Sequence, residues 1–447
     1  MKKYVKVIFF VATLCLVIGV VLLVFNKNIY LPGKYYGEIS DGLLLVNDGE
    51  KYGYYDVEKN KLKIDMKYDL PKDIKDYYNA DLTKKDKNLL YPTKFSFQYA
   101  LNKFNYMFGY IKTTDKNGLY GLEDLKGNVI LDNKYNTLNV YDKDLMLVSD
   151  EDLYFVNSKG EKLTDKNYTG VYKVNDYLIK TRIDGKYCLL TNKLTDVFDM
   201  LFDSIEVFGQ DENNYIIETQ NDKDYSYYLY SDYKVEKLSI NSQINIENYY
   251  NNVITYFKDE HQYYSYDVSS KKETYLGNYK SVGKYVNNLA YAVDMNNKLN
   301  YIDVNGNTLI SLDYDIKIVN DFTKYNLVTV YDKTKTIIIN NKGEIISDDY
   351  LYSYIVNDKL FIVGKSGLNL VNEKFEPISD EYDTMSVIEG NDKYLLVSRK
   401  KDDKEYYGLI NYRGVEIVPC KYLEVKVYGD YAILHEKVGK NIIKKLD

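Results

Sequence analysis

The sequence predicts an all-β repeat protein of about eleven antiparallel units, each about 35 residues long, preceded by one transmembrane helix. Three observations carry this prediction. An uncharged apolar run lies near the N-terminus, aromatic residues recur at nearly constant spacing, and apolar residues between turn signals follow a period of two. The 447 residues contain 53 Tyr, 15 Phe and no Trp. Because 45% of the residues are apolar, the chain can bury a large core and is not intrinsically disordered.

The first predicted element is a membrane helix over Val7–Phe25, a run of 19 residues without a charge. As a helix it would span about 28 Å at roughly 1.5 Å per residue, close to the thickness of a bilayer core. Three of the first six residues are lysines. We therefore expect residues 1–30 to form a cytoplasmic tip and a signal anchor, with residues 31–447 as an extracytoplasmic domain.

Two other functions of this run are disfavoured by its residues. A cleaved signal peptide needs small residues at its exit, and the run ends in bulky ones, LLVFNKN. A lipoprotein anchor needs a small residue before the modified cysteine, whereas Cys15 follows Leu14 in the middle of the run. The sequence therefore predicts an uncleaved anchor.

The repeat is defined by an aromatic residue that follows an Asp or Asn by ten to twelve residues in nine units. The aromatic positions are Tyr68, Tyr135, Tyr168, Phe202, Tyr279, Tyr314, Tyr350, Tyr382 and Tyr422. The matching polar positions are Asp56, Asp124, Asn157, Asn192, Asp267, Asp303, Asn340, Asn372 and Asn411. The first and last aromatic residues are 354 residues apart, which makes ten steps averaging 35.4. Two double steps, of 67 and 77 residues, imply degenerate units within 69–134 and 203–278.

Within a unit, short apolar runs of strand length alternate with turns rich in Asp, Asn and Gly. In the unit that begins at Tyr135, for example, the third run is Leu153–Val156 and the turn after it contains Gly160. A tight hairpin turn needs a positive φ, which glycine adopts without a Cβ clash. The pattern is typical of an antiparallel meander of about four strands.

Three units resemble the bacterial WG repeat, in which an aromatic residue and Gly precede an aliphatic pair, an Asp and a turn Gly. The matching segments are Lys51–Asp69, Gly118–Ile130 and Tyr406–Tyr422. Their aromatic–glycine pairs are Tyr52 and Gly53, Tyr120 and Gly121, and Tyr407 and Gly408. The Trp of the family name is Tyr here, and the motif Gly is missing from most units. The resemblance implies an all-β repeat architecture of exported or envelope proteins, without shared catalytic residues.

The sequence is compatible with two arrangements of the units. Four short strands per unit favour propeller-like packing in one or two rings, and an open superhelical array is the alternative. The chain begins in mid-unit with Leu43–Val46 and Tyr52–Asp56, and it ends with the complementary pieces Tyr431–Leu434 and Asn441–Ile443. Such split units are expected where a ring closes, although an open array can also begin in mid-unit.

Composition excludes several classes of chemistry. Residues 31–447 carry 55 basic and 66 acidic side chains and no basic patch, so we expect no nucleic-acid partner. His261 and His435 share no motif and are expected to be polar surface residues. Cys188 and Cys420 are expected to be unpaired. The sequence predicts no cofactor, no metal and no catalytic residue.

Some acidic and tyrosine-rich segments are further candidates for binding sites. Asp115–Gly118 and Asp303–Gly306 look like fragments of calcium loops but lack the full ligand pattern, so we interpret them as hairpin turns. Tyr225–Tyr228 and Tyr263–Tyr266 superficially resemble choline-binding repeats, but those repeats are shorter and depend on Trp, which this chain lacks. Tyrosine also suits half-buried strands, and its recurrence at one register favours that structural role. Tyrosines outside the register are the remaining hint of a binding face.

The sequence favours a non-enzymatic, membrane-anchored binding module outside the cytoplasm, with an exported protein or a wall polymer as its partner. The alternative is an envelope protein that binds or hydrolyses glycans with loop carboxylates. That alternative predicts a clustered, desolvated pair of carboxylates, one of them with a raised pKa. A third hypothesis is a purely structural spacer.

Overall fold

The computed structural model describes residues 29–33, 35–70, 106–209, 214–240, 242–312, 319–332, 334–437 and 440–446. Within these ranges every regular element is a β-strand, which confirms the predicted all-β class. No helix in the described ranges is long and apolar enough to cross a bilayer. The predicted membrane run Val7–Phe25 and the repeat residue Tyr314 lie outside the described residues.

The described chain contains 38 strands, numbered β1 to β38 in chain order. The first nineteen are Ile29–Tyr30, Tyr35–Ser40, Leu43–Asn47, Lys51–Asp56, Lys61–Asp69, Tyr110–Thr114, Tyr120–Asp124, Val129–Tyr135, Thr137–Asp142, Leu145–Ser149, Leu153–Val156, Gly170–Lys173, Leu178–Ile183, Lys186–Thr191, Ser204–Phe208, Asn214–Asn221, Asp224–Ser231, Lys234–Lys237 and Asn245–Tyr250. The others are Val253–Phe257, Gln262–Asp267, Lys272–Val282, Ala290–Asp294, Leu299–Ile302, Thr308–Leu312, Leu327–Tyr331, Thr336–Asn340, Ile345–Tyr350, Tyr352–Ile355, Phe361–Gly364, Leu368–Val371, Thr384–Ile388, Asn391–Lys401, Lys404–Asn411, Glu416–Tyr422, Glu424–Tyr428, Tyr431–Lys437 and Lys440–Lys445.

These strands form ten sheets among the described residues, and nine of the ten are meanders of consecutive strands. The nine are β2–β5, β6–β8, β9–β11, β12–β14, β15–β18, β19–β25, β26–β28, β29–β31 and β32–β35. The seven-stranded sheet contains two meanders that share the long strand β22. The degenerate unit expected within 203–278 is present as β15–β18. The one expected within 69–134 falls largely on residues 71–105, outside the described ranges.

The chain divides into two compact units. Unit 1 holds the described residues up to 136 together with 400–409 and 417–446, and unit 2 holds 137–399 and 410–416. Each unit has its own buried apolar clusters. In unit 1, for example, Tyr52 and Tyr54 pack with Ile111, and in unit 2, Val328 and Ile337 pack with Tyr301.

The tenth sheet joins the first and last described strands in the order β1-β38-β37-β36, and Ile29 pairs with Ile443. The expectation that Leu43–Val46 and Tyr52–Asp56 complement the last unit is wrong. These segments belong to β3 and β4, which form a complete four-stranded sheet with β2 and β5. The two residues of β1 are too few to show a period of two, so the pattern did not reveal them.

The repeat aromatics lie mainly in the core. Phe155 and Tyr168 meet edge to face with ring centroids 5.6 Å apart, and Leu153 and Tyr168 form an isolated bridge that closes their meander. The buried members are Tyr52, Tyr68, Tyr135, Tyr168, Phe202, Tyr382 and Tyr422. The half-buried members are Tyr120, Tyr279, Tyr350 and Tyr407. The register therefore marks positions where a ring packs between strands.

The polar residue of the repeat closes a hairpin turn. Asp124 Oδ1 accepts the backbone N–H of Lys126 at 2.8 Å and of Asn128 at 2.9 Å, and Gly127 has a φ of +83°. The same pair of contacts recurs at Asn157, Asp303, Asn340, Asn372 and Asn411. The calcium-like segments Asp115–Gly118 and Asp303–Gly306 are such turns. One assignment was off by a residue, because Thr191 Oγ1, and not Asn192, accepts the two N–H groups in its turn.

The glycine of the aromatic–glycine pairs is needed for a different reason, the close approach of a neighbouring strand. A Cβ on Gly53 would lie 2.5 Å from the carbonyl oxygen of Ile64, and a Cβ on Gly121 would lie 2.6 Å from that of Leu131. The strand pairing shifts register beside both glycines. The partner strand therefore bulges into the space where a side chain would otherwise stand.

Candidate functional site

Tyrosine rings are exposed together on one strand of unit 2. Strand β29 is an edge strand of the three-stranded sheet β29–β31 in the described fold. Tyr352 and Tyr354 are 37% and 40% exposed, whereas Ser353 and Ile355 between and after them are buried. Because strand side chains alternate between faces, both rings lie on the same face. Tyr331 at the end of β26 joins them, and its hydroxyl donates to the carbonyl of Ser353 at 3.4 Å.

We call Tyr331, Tyr352 and Tyr354 the tyrosine surface. Burial and the neighbouring phenols raise the pKa of Tyr331 and of Tyr352, so the hydroxyls stay protonated donors at physiological pH. Leu351, beside them, is highly exposed. Flat rings with polar rims can stack on the apolar face of a sugar or pack against the side chains of a partner protein.

The tyrosine-rich stretches noted in the sequence have a different environment. Tyr227, Tyr263 and Tyr266 are buried, and Tyr264 stacks on Tyr256 with ring centroids 5.6 Å apart. The hydroxyl of Tyr227 accepts the backbone N–H of Ile244 at 3.0 Å. These stretches therefore serve mainly the core of their sheets, and the exposed rings of the tyrosine surface lie on other strands.

A carboxylate cluster occupies a second region of unit 2. Asp321 lies before β26, Lys284 follows β22, Tyr291 is on β23 and Glu247 is on β19. The backbone N–H of Lys284 donates to Asp321 Oδ1 at 3.0 Å. A Cβ on Gly283 would collide with the carboxylate of Asp321 and with the ring of Tyr291. The absence of a side chain at Gly283 is therefore what admits both groups.

The two acids of this cluster differ in environment. Asp321 is half-buried, and burial raises its pKa to about 6, although the charge and the N–H of Lys284 oppose the rise. Burial among protein groups also raises the pKa of Glu247, and the nearby charge of Asp321 adds to it. The side chain of Glu247 is itself exposed, so water screens its charge more than that of Asp321.

Near pH 6, Asp321 can exchange its proton while a second acid, Glu247, lies close enough to affect it electrostatically. The glycan alternative required a desolvated pair of carboxylates; Asp321 is half-buried with a raised pKa, whereas Glu247 is exposed. Across the described ranges, no group of three or more His, Cys, Asp or Glu side chains could hold a metal ion. The sequence did not indicate the cluster, because Glu247 and Asp321 share no motif and lie in different repeats.

The histidines and cysteines have structural environments. The expectation of a surface position for His435 is wrong, because its side chain is buried in β37 with Nδ1 2.5 Å from Asn441 Oδ1. His261 is half-buried in a hairpin turn. Cys188 is a buried free thiol whose Sγ lies 2.8 Å from the hydroxyl of Thr181, and Cys420 is half-buried.

No protein-family model and no curated protein matches the sequence. Among solved structures, the chain is similar to BamB from Moraxella catarrhalis, with 10% identity over 69% of this chain and 93% of that chain and a TM-score of 0.26. It is also similar to the C-terminal WD40 domain of Sif2, with 10% identity over 61% and 93% and a TM-score of 0.31. Saccharomyces cerevisiae Sqt1 is similar at 10% identity over 63% and 100%, with a TM-score of 0.31. Likenesses this low indicate nothing about a ligand or an activity.

Proposed function

We propose that this protein is a non-enzymatic binding module, anchored in the membrane by Val7–Phe25, that presents its β repeats outside the cytoplasm. The observation that carries the proposal is the tyrosine surface, in which two rings are exposed side by side on an edge strand. Propeller-like packing of the repeats belongs to the same proposal. It is supported by the sheet that joins the first and last described strands. The resemblance to the WG repeat supports the envelope location.

Strand β29 is an edge strand of its sheet, and it carries two neighbouring aromatic rings that are exposed. Edge strands of soluble proteins are usually protected by charge, proline or a covering segment. Tyr352 and Tyr354 instead place amphipathic rings on such a strand, next to the exposed Leu351. Tyrosine is enriched at binding interfaces because its ring supplies contact area and its hydroxyl supplies a hydrogen bond. An exported protein or a wall polymer is the partner we propose.

The tyrosine surface is tested by the double variant Tyr352→Ala/Tyr354→Ala. We expect binding to purified peptidoglycan, or cross-linked capture of an envelope protein in intact cells, to fall about tenfold or more, since each ring contact is worth about 1 kcal/mol. The matched control is Tyr172→Ala/Tyr275→Ala, which removes two rings that are 51% and 52% exposed on other sheets of unit 2. Equal binding by the two double variants and the unmodified chain would remove the tyrosine surface from the proposal.

The proposed orientation has its own test. Protease added to intact, wall-stripped cells should degrade residues 31–447, because the flanking lysines keep the N-terminus in the cytoplasm. Complete protection of the repeats, with degradation only after the membrane is opened, would overturn the topology.

A second candidate function, hydrolysis of a glycan, is favoured by the carboxylate cluster alone. Asp321 would be the proton donor near pH 6 and Glu247 the second carboxylate. Release of new reducing ends from cell-wall glycan by the full chain tests it. If no glycan is cleaved, the candidate fails and the cluster needs another explanation.

A further inference from the structure

Two clefts occur at equivalent positions in two pairs of consecutive repeats. In unit 1, a cleft of about 530 Å³ lies between the β2–β3 and β4–β5 turns of one sheet and the β7–β8 turn of the next. In unit 2, a cleft of about 470 Å³ lies between the β9–β10 turn and the segment after β11 of one sheet and the turn after β14 of the next. Both volumes fall in the range of small-ligand sites, about 300–1,000 Å³.

The two clefts also share an apolar floor. Leu43 begins β3 and Leu145 begins β10, so each follows the first hairpin turn of its sheet. Leu125 and Leu194 lie in the turns that follow β7 and β14 in the neighbouring sheet. All four leucines line their clefts, and Leu43 and Leu145 are buried. One lining pattern therefore recurs in two separate repeats.

The rims of the clefts carry charges of both signs. The first cleft has Asp41, Glu58 and Lys63, together with the half-buried Tyr106. Burial, and then the charges of Asp41 and Asp124, raise the pKa of Tyr106, so its phenol remains a donor. The second cleft has Asp142, Lys143 and Lys193. With opposite charges interleaved, neither rim favours a strongly anionic or strongly cationic ligand.

This combination matches a neutral ligand with many hydroxyl groups. Carboxylates accept hydrogen bonds from hydroxyls, ammonium and phenol groups donate them, and leucine or tyrosine contacts the apolar face of a sugar ring. A polymer of sugars can bind at repeated sites through the same kind of contact at each site. We propose that these two clefts are repeated binding subsites for neutral glycan chains. The inference rests on the proposed function as a binding module and names the class of its ligand.

The test uses the full chain in detergent and titrates it calorimetrically with oligomers of N-acetylglucosamine and of glucose. Glu58→Gln/Lys63→Met alters the first cleft and Asp142→Asn/Lys193→Met alters the second. Each pair changes only exposed rim side chains. We expect each double variant to weaken oligomer binding at its cleft about tenfold, and the combined variant to remove measurable binding.

Matched controls come from one lining sheet of each cleft, β6–β8 and β9–β11, at the end of the sheet away from the cleft. Consecutive hairpin turns of a meander alternate between its two ends. Lys116→Met lies in the β6–β7 turn and Glu151→Gln in the β10–β11 turn. We expect both controls to bind like the unmodified chain. Glycan binding that survives in the combined cleft variant would overturn the clefts as the site. If no oligomer binds although peptidoglycan or an envelope protein is captured, this inference fails and the proposed function stands. If nothing binds in any assay, both fail.

Discussion

Alanine at Gly53, Gly121 or Gly408 is expected to lower the free energy of unfolding of its sheet by about 3 kcal/mol or more. In each position the backbone of the partner strand fills the space that a Cβ would need. For Gly408, the nitrogen of Cys420 lies 2.8 Å from that point, and the carbonyl of Val418 is closer still. Backbone atoms cannot swing aside as the end of a flexible side chain can, so the strands must separate or shift register.

The matched control is Gly118→Ala, in the hairpin turn next to the Tyr120–Gly121 pair. Gly118 has a φ of +83° but no atom within 4 Å of its would-be Cβ. Only the strain of the left-handed conformation applies there, about 1 kcal/mol. Amide hydrogen exchange of the full chain, read separately for each sheet, measures the loss, because a repeat array need not unfold as one unit. Equal losses at Gly118 and Gly121 would show that the partner strand yields and that the close approach is unimportant.

These glycines show what the sequence could and could not predict. The aromatic–glycine pair is visible as a motif, and the turn glycines follow from the need for a positive φ. The reason for Gly53 depends on a register shift between β4 and β5, and such a shift is set by pairing across strands. The spacing of the aromatic residues predicted the sheets because each repeat packs a ring at the same position of its unit.

The candidate sites were less predictable for a related physical reason. The alternation in Leu351–Tyr352–Ser353–Tyr354 places the two tyrosines on one face of the strand, but which face is covered depends on neighbouring sheets. The stretches richest in tyrosine turned out to supply core rings such as Tyr227. Asp321 looks like an ordinary turn acid in the sequence, and only the fold places it against Gly283 and Lys284.

The variant Asp321→Asn is expected to stabilise the protein at pH 8 by about 2 kcal/mol and to change little at pH 4. The folded-state pKa of Asp321, about 6, is above its ordinary value of 3.8. The folded protein therefore keeps a proton that the unfolded chain releases between these pH values. The stabilising contribution of this group is complete below about pH 4 and is lost as the pH rises through about 6. Asparagine has no charge to desolvate and can still accept the N–H of Lys284.

Asp303→Asn is the control, because its expected effect on the free energy of unfolding at pH 8 has the opposite sign. Burial raises the pKa of Asp303, but hydrogen bonds from the side chain of Asn307 and from the amides of Asn305 and Asn307 outweigh it, and the pKa lies below its ordinary value. Its contribution to stability is present at neutral pH and is lost as the pH falls. Asp303→Asn should therefore destabilise unit 2 at pH 8, and the two variants should converge at low pH. Urea titrations of the full chain at both pH values measure the pair.

A stabilising Asp321→Asn would mean that the fold carries this carboxylate at a cost that its own contacts do not offset. Groups of that kind are typical of binding and catalytic sites, where stability is given up for chemistry. The same variant then separates the two candidate functions. Loss of glycan cleavage with higher stability would favour the hydrolase, whereas unchanged binding to the partner would place Asp321 outside the binding module's site. If Asp321→Asn instead destabilises the protein at pH 8, the carboxylate is a structural link between Lys284 and the segment before β26, and the hydrolase loses its only support.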